Sequence, residues 1–382
     1  MRILFLEQFG ALGGAQQCLL DLLPVIAGRG WLATVAAPAS GPLLDLARAA
    51  GADASPIPLG GYGIGRKSAR DVARFAIETP RLARWIERQP ADLIYVNGPR
   101  PLLAAARGAS GRPVIFHAHH FLLENSAKMI ARWTIRQAHA TLIANSWHVA
   151  NQFRECIAPD RLHVVYNGVN PVPFTRRNFG GQRRWRIGIV GRIAPMKGQT
   201  DFLRAARRIA AQIPHAVFVV CGEPMFCPPD YSKEVRRLAE GLPVEFSGWR
   251  GDIAAVLGEL DLLVAPSSAA EATTRVILEA FSAGVPVVAY ATGGIPEIVE
   301  DSVNGFLVPE CEPEALARKI IEVTRWDLAQ VAQRGREKWE RCFTIEKWRE
   351  QVTRIIASSA GTSAESTIAW APEAARGARS AR

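Results

Sequence analysis

The sequence has no uninterrupted apolar run approaching the roughly 18 residues of a membrane span, so no crossing helix is expected from it. Its first ten residues, MRILFLEQFG, are too briefly apolar for a secretory signal, and no cleavage site follows them. The chain is therefore expected in the cytoplasm, with a peripheral contact at the inner face of the membrane as an option. Its six cysteines are scattered without a C-x-x-C pair, which argues against a disulfide framework and for a reduced compartment. There is no D-x-D and no His/Cys/Asp cluster at ligand spacing, so no metal site is expected. No repeat is visible at the periods of solenoids or propellers. Basic stripes interleaved with aromatics are also missing, and with them the usual footprint of a nucleic-acid binder.

What is present is apolar mass and alternation. Hydrophobic residues make up 48% of 382, enough for two cores of ordinary size. The net charge of +10 sits mainly in the first half: residues 1–173 hold 18 Lys/Arg against 11 Asp/Glu, and residues 174–356 hold 25 against 23. RILFLE (2–7), LATVAAP (32–38), ADLIYVN (91–97), RPVIFHA (112–118) and ATLIANS (140–146) read as short strands between helical stretches. The pattern restarts with WRIGIVGR (185–192), HAVFVVCG (215–222), LPVEFSG (242–248), DLLVAPS (261–267) and VPVVAYA (285–291). Apolar runs of this length between helices argue parallel sheets covered on both faces. The fold class is therefore α/β with two Rossmann-like domains. The expected divisions are a first domain over 1–170, a Pro/Gly/Arg-rich linker over 171–185, and a second domain over 186–335. Helices over 336–358, with Trp339, Phe343 and Trp348 as large apolar anchors, are expected to cross back to the first domain, ahead of a mobile tail over 359–382.

The stretch 267–299 carries the most chemistry. Thr274 is placed to cap a helix RVILEAFSA, and Gly284 to end it before Pro286. Glu271 then lies in the loop ahead of that helix and Glu279 in its second turn, both able to face the crevice beyond the strand ends. Carboxylates there suit paired sugar hydroxyls, since each oxygen accepts an O–H. Thr292-Gly293-Gly294 follows the next strand, with Pro296 in the first turn of a helix, a terminus suited to phosphate oxygens. Arg192 and Lys197, in GRIAPMKGQTDF, supply cations that would stabilise a departing diphosphate.

In order, Gly13-Gly14, NSWHVANQF…RLHVVYNGVN, GRIAPMKGQTDFLRAA and EATTRVILEAFSAGVPVVAYATGGIPEIVEDSVNGFLVP resemble the family 4 glycosyltransferases over residues 2–350. The resemblance implies the GT-B architecture, two facing Rossmann-like domains with the active site between them. It also implies retaining, metal-free transfer from a nucleoside-diphosphate sugar, with that donor a substrate and no further cofactor. By position, Glu279 resembles the carboxylate that holds the ribose, and Glu271 the one that contacts the donor sugar. Arg192 and Lys197 resemble the diphosphate clamp. Gly14 resembles the glycine whose backbone approaches the phosphates, and Gly293 and Gly294 the phosphate-binding turn. Family members commonly have Gly and an aromatic after the first Glu, where this chain has Ala272-Thr273.

His117-Ala118-His119-His120 ends a strand of the first domain. Alternation puts His117 and His119 on one face. Counting from Pro113, His119 best matches the family histidine that hydrogen-bonds the donor sugar, with His117 and His120 as alternates. The resemblance also implies that the first domain binds the acceptor, a glycan, lipid-linked or small molecule, and the second the donor, in surface-polysaccharide or glycolipid synthesis. Between residues 60 and 89, Arg66, Lys67, Arg70, Arg74, Arg81, Arg84 and Arg88 outnumber three acids, a surface suited to an anionic acceptor or lipid leaflet. Thr79-Pro80 reads there as a fresh helix start. The rival readings are a GT-B epimerase or phosphorylase and a non-catalytic nucleotide-sugar-binding protein.

Overall fold

The computed structural model describes residues 1–60, 68–174, 177, 179, 184–225, 227–267, 271–309 and 311–361. Arg66, Lys67, parts of the expected linker and nearly all of the expected tail lie outside the described residues. The first sheet comprises β1 (Arg2–Glu7), β2 (Leu32–Ala37), β3 (Asp53–Pro56), β4 (Leu93–Asn97), β5 (Val114–Ala118), β6 (Thr141–Ala144) and β7 (Leu162–Val164). Their order across the sheet is β3-β2-β1-β4-β5-β6-β7, with every pairing parallel. The second sheet comprises β8 (Arg186–Val190), β9 (Val217–Cys221), β10 (Val244–Gly248), β11 (Leu262–Ala265), β12 (Val287–Tyr290) and β13 (Phe306–Val308). It runs β10-β9-β8-β11-β12-β13, again parallel throughout.

The continuous apolar runs are explained by burial on both faces. Every residue of β4, β5, β6, β9, β11 and β12 is buried beneath helices. In each sheet the strand order reverses beside the first strand, at β1/β4 and at β8/β11. The crevice outside the carboxyl ends of strands at such a point is where open α/β sheets take ligands. Register places Glu7 and Asn97 side by side at that edge of the first sheet.

The two domains are tied at several points. The helix Ile345–Ser359 buries Trp348, Val352 and Ile356 in the core that holds Phe5, Leu19 and Leu22 of the first domain. Arg349 Nε also donates to the carbonyl of Asp21 at 2.6 Å. Within the 171–185 stretch, Val172 N donates to Ser282 Oγ at 2.8 Å. Arg177 donates to the carbonyls of Leu257, Leu260 and Gly284 at 2.7, 2.7 and 3.0 Å. The described part of this stretch is thereby pinned to the second domain.

One expectation is corrected. Thr79-Pro80 starts no helix; a single helix runs Ala69–Glu87, opened by a reciprocal capping box between Ser68 and Asp71. Proline removes one backbone donor from the helix interior, and here Thr79 Oγ1 donates to the Phe75 carbonyl at 2.7 Å on the turn before it. Strands β3, β7 and β13 were not among the expected ones.

Candidate active site

The helix carrying Glu279 runs Arg275–Ala283, with Thr274 at its N-cap and Gly284 in the left-handed conformation (φ 67°) at its end. The Thr274 side chain does not cap the helix. Its Oγ1 instead accepts from Lys197 Nζ at 3.2 Å, and the same ammonium donates to Glu271 Oε2 at 2.5 Å. Lys197 and Glu271 are only 17% and 14% exposed, so this is a sheltered ion pair and not a surface one. Lys197 lies on a short 3₁₀ turn after β8, and Gly198 behind it has φ 74° and no room for a side chain against the Pro266 carbonyl. The loop is further held by Gln199, whose amide donates to the Arg192 carbonyl at 2.9 Å. Burial pushes the pKa of Arg192 down, with Glu271 opposing.

Glu279 is half-buried, its side chain 18% exposed; desolvation pushes its carboxyl up, with Asp21 adding, while Arg275 and Lys197 pull it down. Arg275 Nε stands 3.9 Å from it. The same guanidinium crosses to the first domain, donating to Asp21 Oδ2 at 2.9 Å and to the Gly168 carbonyl at 3.2 Å. Gly14 opens the helix Gly14–Gly28 directly against this arginine, where an added Cβ would lie 3.6 Å from Arg275 Cδ.

The Thr292-Gly293-Gly294 turn closes the same group. Thr292 Oγ1 donates to the Ser267 carbonyl at 2.6 Å, and Gly294 N reaches the Glu271 carbonyl at 3.4 Å. Gly293 has φ 58°, and a Cβ on Gly294 would strike the Ala272 carbonyl at 2.1 Å. Ala272 and Thr273 are buried, and Thr273 Oγ1 donates to the Asn145 carbonyl at 3.3 Å. These two residues, where the chain departs from the family pattern, are therefore part of the contact between domains.

On the first domain's side, His117 and His119 share a face, their ring centroids 3.8 Å apart. His117 is buried against the Tyr95 hydroxyl, 2.7 Å from Nδ1, and burial lowers its pKa to about 3. His119 places Nε2 at 2.6 Å from Asn97 Oδ1. Burial pushes its pKa well down, and His117, His120 and Arg275 add to the effect. His120 is also pushed down by burial, then by Arg192, while Glu271 opposes, so it faces charges of the second domain.

Sequence reasoning missed the residues that join the walls. Besides Asp21 and Arg275, Glu297 accepts from the backbone N–H of Trp147 and of His148, each at 2.7 Å, and from Tyr166 Oη at 2.9 Å. It also missed Glu7 and Asn97. The only sequence signal for that pair was a polar residue ending each of two otherwise apolar strands. Among the described residues no group of three or more His, Cys, Asp or Glu could hold a metal ion, and no helix is long and apolar enough to cross a membrane.

Two family models match this chain. One described as Glycosyltransferase Family 4 covers residues 12–172, and one described as Glycosyl transferases group 1 covers residues 184–325. The chain belongs to the family 4 glycosyltransferases. This family member is similar to the Anabaena HepE crystal structure in complex with UDP-glucose, at 27% identity and a TM-score of 0.79, over 94% of this chain and 100% of that one. It is 32% identical to the D-inositol 3-phosphate glycosyltransferase of Streptomyces scabiei, over 61% of this chain and 60% of that protein. To the putative colanic acid biosynthesis glycosyltransferase WcaL of Salmonella typhimurium it is 28% identical, over 52% and 51%. The chain thus spans about half to three-fifths of the curated relatives it matches. The GT-B architecture named in the sequence reading is the one found, two parallel α/β sheets with their switch points facing one cleft.

Proposed function

We propose that the protein transfers a sugar, with retention at the anomeric carbon, from a nucleoside-diphosphate sugar to a glycan, lipid-linked or small-molecule acceptor. The observation that carries this reading is the convergence of Lys197, Glu271 and the Gly293-Gly294 turn at the carboxyl ends of the second sheet. Arg192 and Lys197 would clamp the diphosphate, with the Gly14 backbone approaching it from the first domain. Negative charge grows on the leaving diphosphate as its bond to the sugar breaks, and fixed cations there lower the barrier. Lys197 is already oriented by Glu271 and Thr274, so little reorganisation is needed when phosphate oxygens share it. Glu279 would accept the ribose hydroxyls, Glu271 a hydroxyl of the donor sugar, and His119 a further contact to that sugar. Retention rests on the family resemblance.

Transfer to a lipid-linked acceptor would place the first domain at the membrane. On the helix Ala69–Glu87 and just beyond it, Arg70, Arg81, Arg84 and Arg88 are exposed together with Val72 and Ile77, a combination suited to an anionic leaflet. Flotation with anionic vesicles at low salt tests this; no binding there removes the membrane and favours a soluble acceptor.

The main test is a thermal-shift screen of UDP-, GDP- and ADP-sugars, followed by a transfer assay with the stabilising donor. Stabilisation by one donor class and sugar transfer are expected. Binding without turnover on any acceptor tried would favour the non-catalytic reading, and donor isomerisation without acceptor would favour an epimerase.

A further inference from the structure

A buried carboxylate sits behind the histidine that the proposed reading places against the donor sugar. Glu7, at the end of β1, is 0% exposed. Its Oε1 accepts from the backbone N–H of Gln8 at 2.7 Å and of Phe9 at 3.1 Å, and its Oε2 accepts from Asn97 Nδ2 at 2.5 Å. Asn97 Nδ2 also donates to the Ala15 carbonyl at 3.1 Å, in the first turn of the helix that Gly13 and Gly14 open. Two acceptors on one nitrogen fix which end of the Asn97 amide is which. The other end, Oδ1, can only accept, and it faces His119 Nε2 at 2.6 Å. His119 must therefore carry its proton on Nε2.

We propose that Glu7, acting through Asn97, is a positioning residue that locks His119 in its Nε2–H tautomer and leaves Nδ1 as a hydrogen-bond acceptor for a hydroxyl of the donor sugar. This rests on the proposed sugar transfer for its consequence in turnover, though the tautomer itself does not. The neutral ring is favoured independently: burial, two neighbouring histidines and Arg275 all disfavour its charged form. A neutral imidazole has one donor and one acceptor nitrogen, and what one is bonded to decides the role of the other. The Glu7–Asn97 pair also ties the Gly13-Gly14 turn to His119, so the phosphate-approaching backbone and the sugar-facing ring share one anchor.

Glu7→Gln tests the arrangement because an amide cannot replace this carboxylate. Either way round, its NH₂ group faces a donor: Asn97 Nδ2 in one orientation, the Gln8 and Phe9 N–H groups in the other. Glu7 also hydrogen-bonds the Gln16 side chain, so the network can respond by turning the Gln16 amide or the Asn97 amide, and the second presents a donor to His119 and draws the imidazole proton to Nδ1. The ring ¹⁵N shifts of His119, assigned by its loss in His119→Ala, read the tautomer directly. In the wild-type protein at pH 7.5 we expect protonated Nε2 and unprotonated Nδ1. In Glu7→Gln we expect a substantial Nδ1–H population, a turnover at least tenfold lower, and a donor KM within about twofold. Asn97→Ala, which deletes the acceptor, should give mixed tautomers and a similar loss. A wild-type His119 protonated on Nδ1 overturns the proposal, even where neither variant folds. So does wild-type turnover in either variant. Absence of sugar transfer by the wild-type protein would instead count against the proposed function, leaving the tautomer result standing.

Discussion

Apart from Asp21, which pairs with Arg275, and the Glu7 carboxyl behind Asn97, the polar groups described on the first domain's wall of the cleft are amides and imidazoles that burial keeps neutral. On the second domain's wall they are ions in close pairs or beside opposite charges: Lys197 with Glu271, and Arg275 near Glu279. The clearest contrast is between His119, which would meet a sugar hydroxyl, and Arg192 and Lys197, which would meet the diphosphate, although Glu271 and Glu279 would also take hydroxyls. A sugar offers hydroxyls, which neutral donors and acceptors recognise by direction, whereas a diphosphate offers charge, which cations recognise by strength. Charge on the second wall need not be solvated by water, because each ion has a partner a few ångströms away until a ligand competes for it. On the first wall, direction must be set by other means, and the amide of Asn97 sets it.

Removing a charge from the second wall should produce the largest effect. Lys197→Met keeps most of the stem's packing and leaves Glu271 without its ammonium. Breaking one side of a desolvated pair costs roughly 2–5 kcal/mol, and the part realised as the leaving group departs should lower turnover about 10²–10³-fold. Magnesium should not restore the lost rate, and a chelator should not abolish wild-type activity. A wild-type enzyme silenced by chelator and revived by a divalent metal would remove the clamp assignment.

The first wall should respond in rate and not in affinity. His119→Ala is expected to lower turnover by about 10² while donor binding stays within a few-fold, as for a group that acts mainly in the transition state. Full activity in that variant, with the loss found instead in His120→Ala, would move the role to the histidine that faces Arg192 and Glu271.

The smallest effect sharpens the comparison through acid. His117 falls from the usual 6.5 to about 3 on burial, so below pH 6.5 the unfolded chain takes up a proton that the folded one refuses. That stability is full above 6.5 and is lost as pH falls toward 3. His119, His120 and His163 act in the same direction. Glu7, raised to about 7, acts oppositely, since its share is full below the usual carboxyl value and is lost as pH rises toward 7; Glu279 and Asp201 shift likewise. The net slope is therefore mixed, and the informative quantity is a difference. Denaturant unfolding at pH 7 and pH 5 should show His117→Phe losing less stability on acidification than wild type, by on the order of 1–2 kcal/mol. Identical losses in the two proteins would mean the ring is already charged or already exposed.

Legibility of the chain tracked distance along it. Long apolar strands announced themselves, and so did the helix between Thr274 and Gly284, because each signal lies within a dozen residues. Three of the four edge strands escaped, β10 being the exception: Asp53–Pro56 is half polar, and Leu162–Val164 and Phe306–Val308 are three residues each, too short for any period to register. The helix through Pro80 escaped because a proline reads as a boundary, while the hydroxyl that braces the turn before it lies one residue away. At the site, residue types were legible and partnerships were not. Glu7 meets Asn97 across 90 residues and Arg275 meets Asp21 across 254, joined only by strand register and domain packing. The Lys197–Glu271 pairing was hidden for the same reason: each was read as a ligand for something else, and only the folded cleft brings them within 2.5 Å.

The helix Ile345–Ser359 bears on how the molecule is made. Its Trp348, Val352 and Ile356 complete a core that also holds Phe5, Leu19 and Leu22, which precede Trp348 by more than 300 residues in the chain. At ~5–20 residues per second, those early residues wait roughly 15–70 s for their partners. The second domain's sheet, with its helices supplied by residues 199–342, is translated in full within that interval. The second domain therefore has all its elements available before the helix Ile345–Ser359 emerges, and the apolar helix Gly14–Gly28 lacks that helix's cover until then.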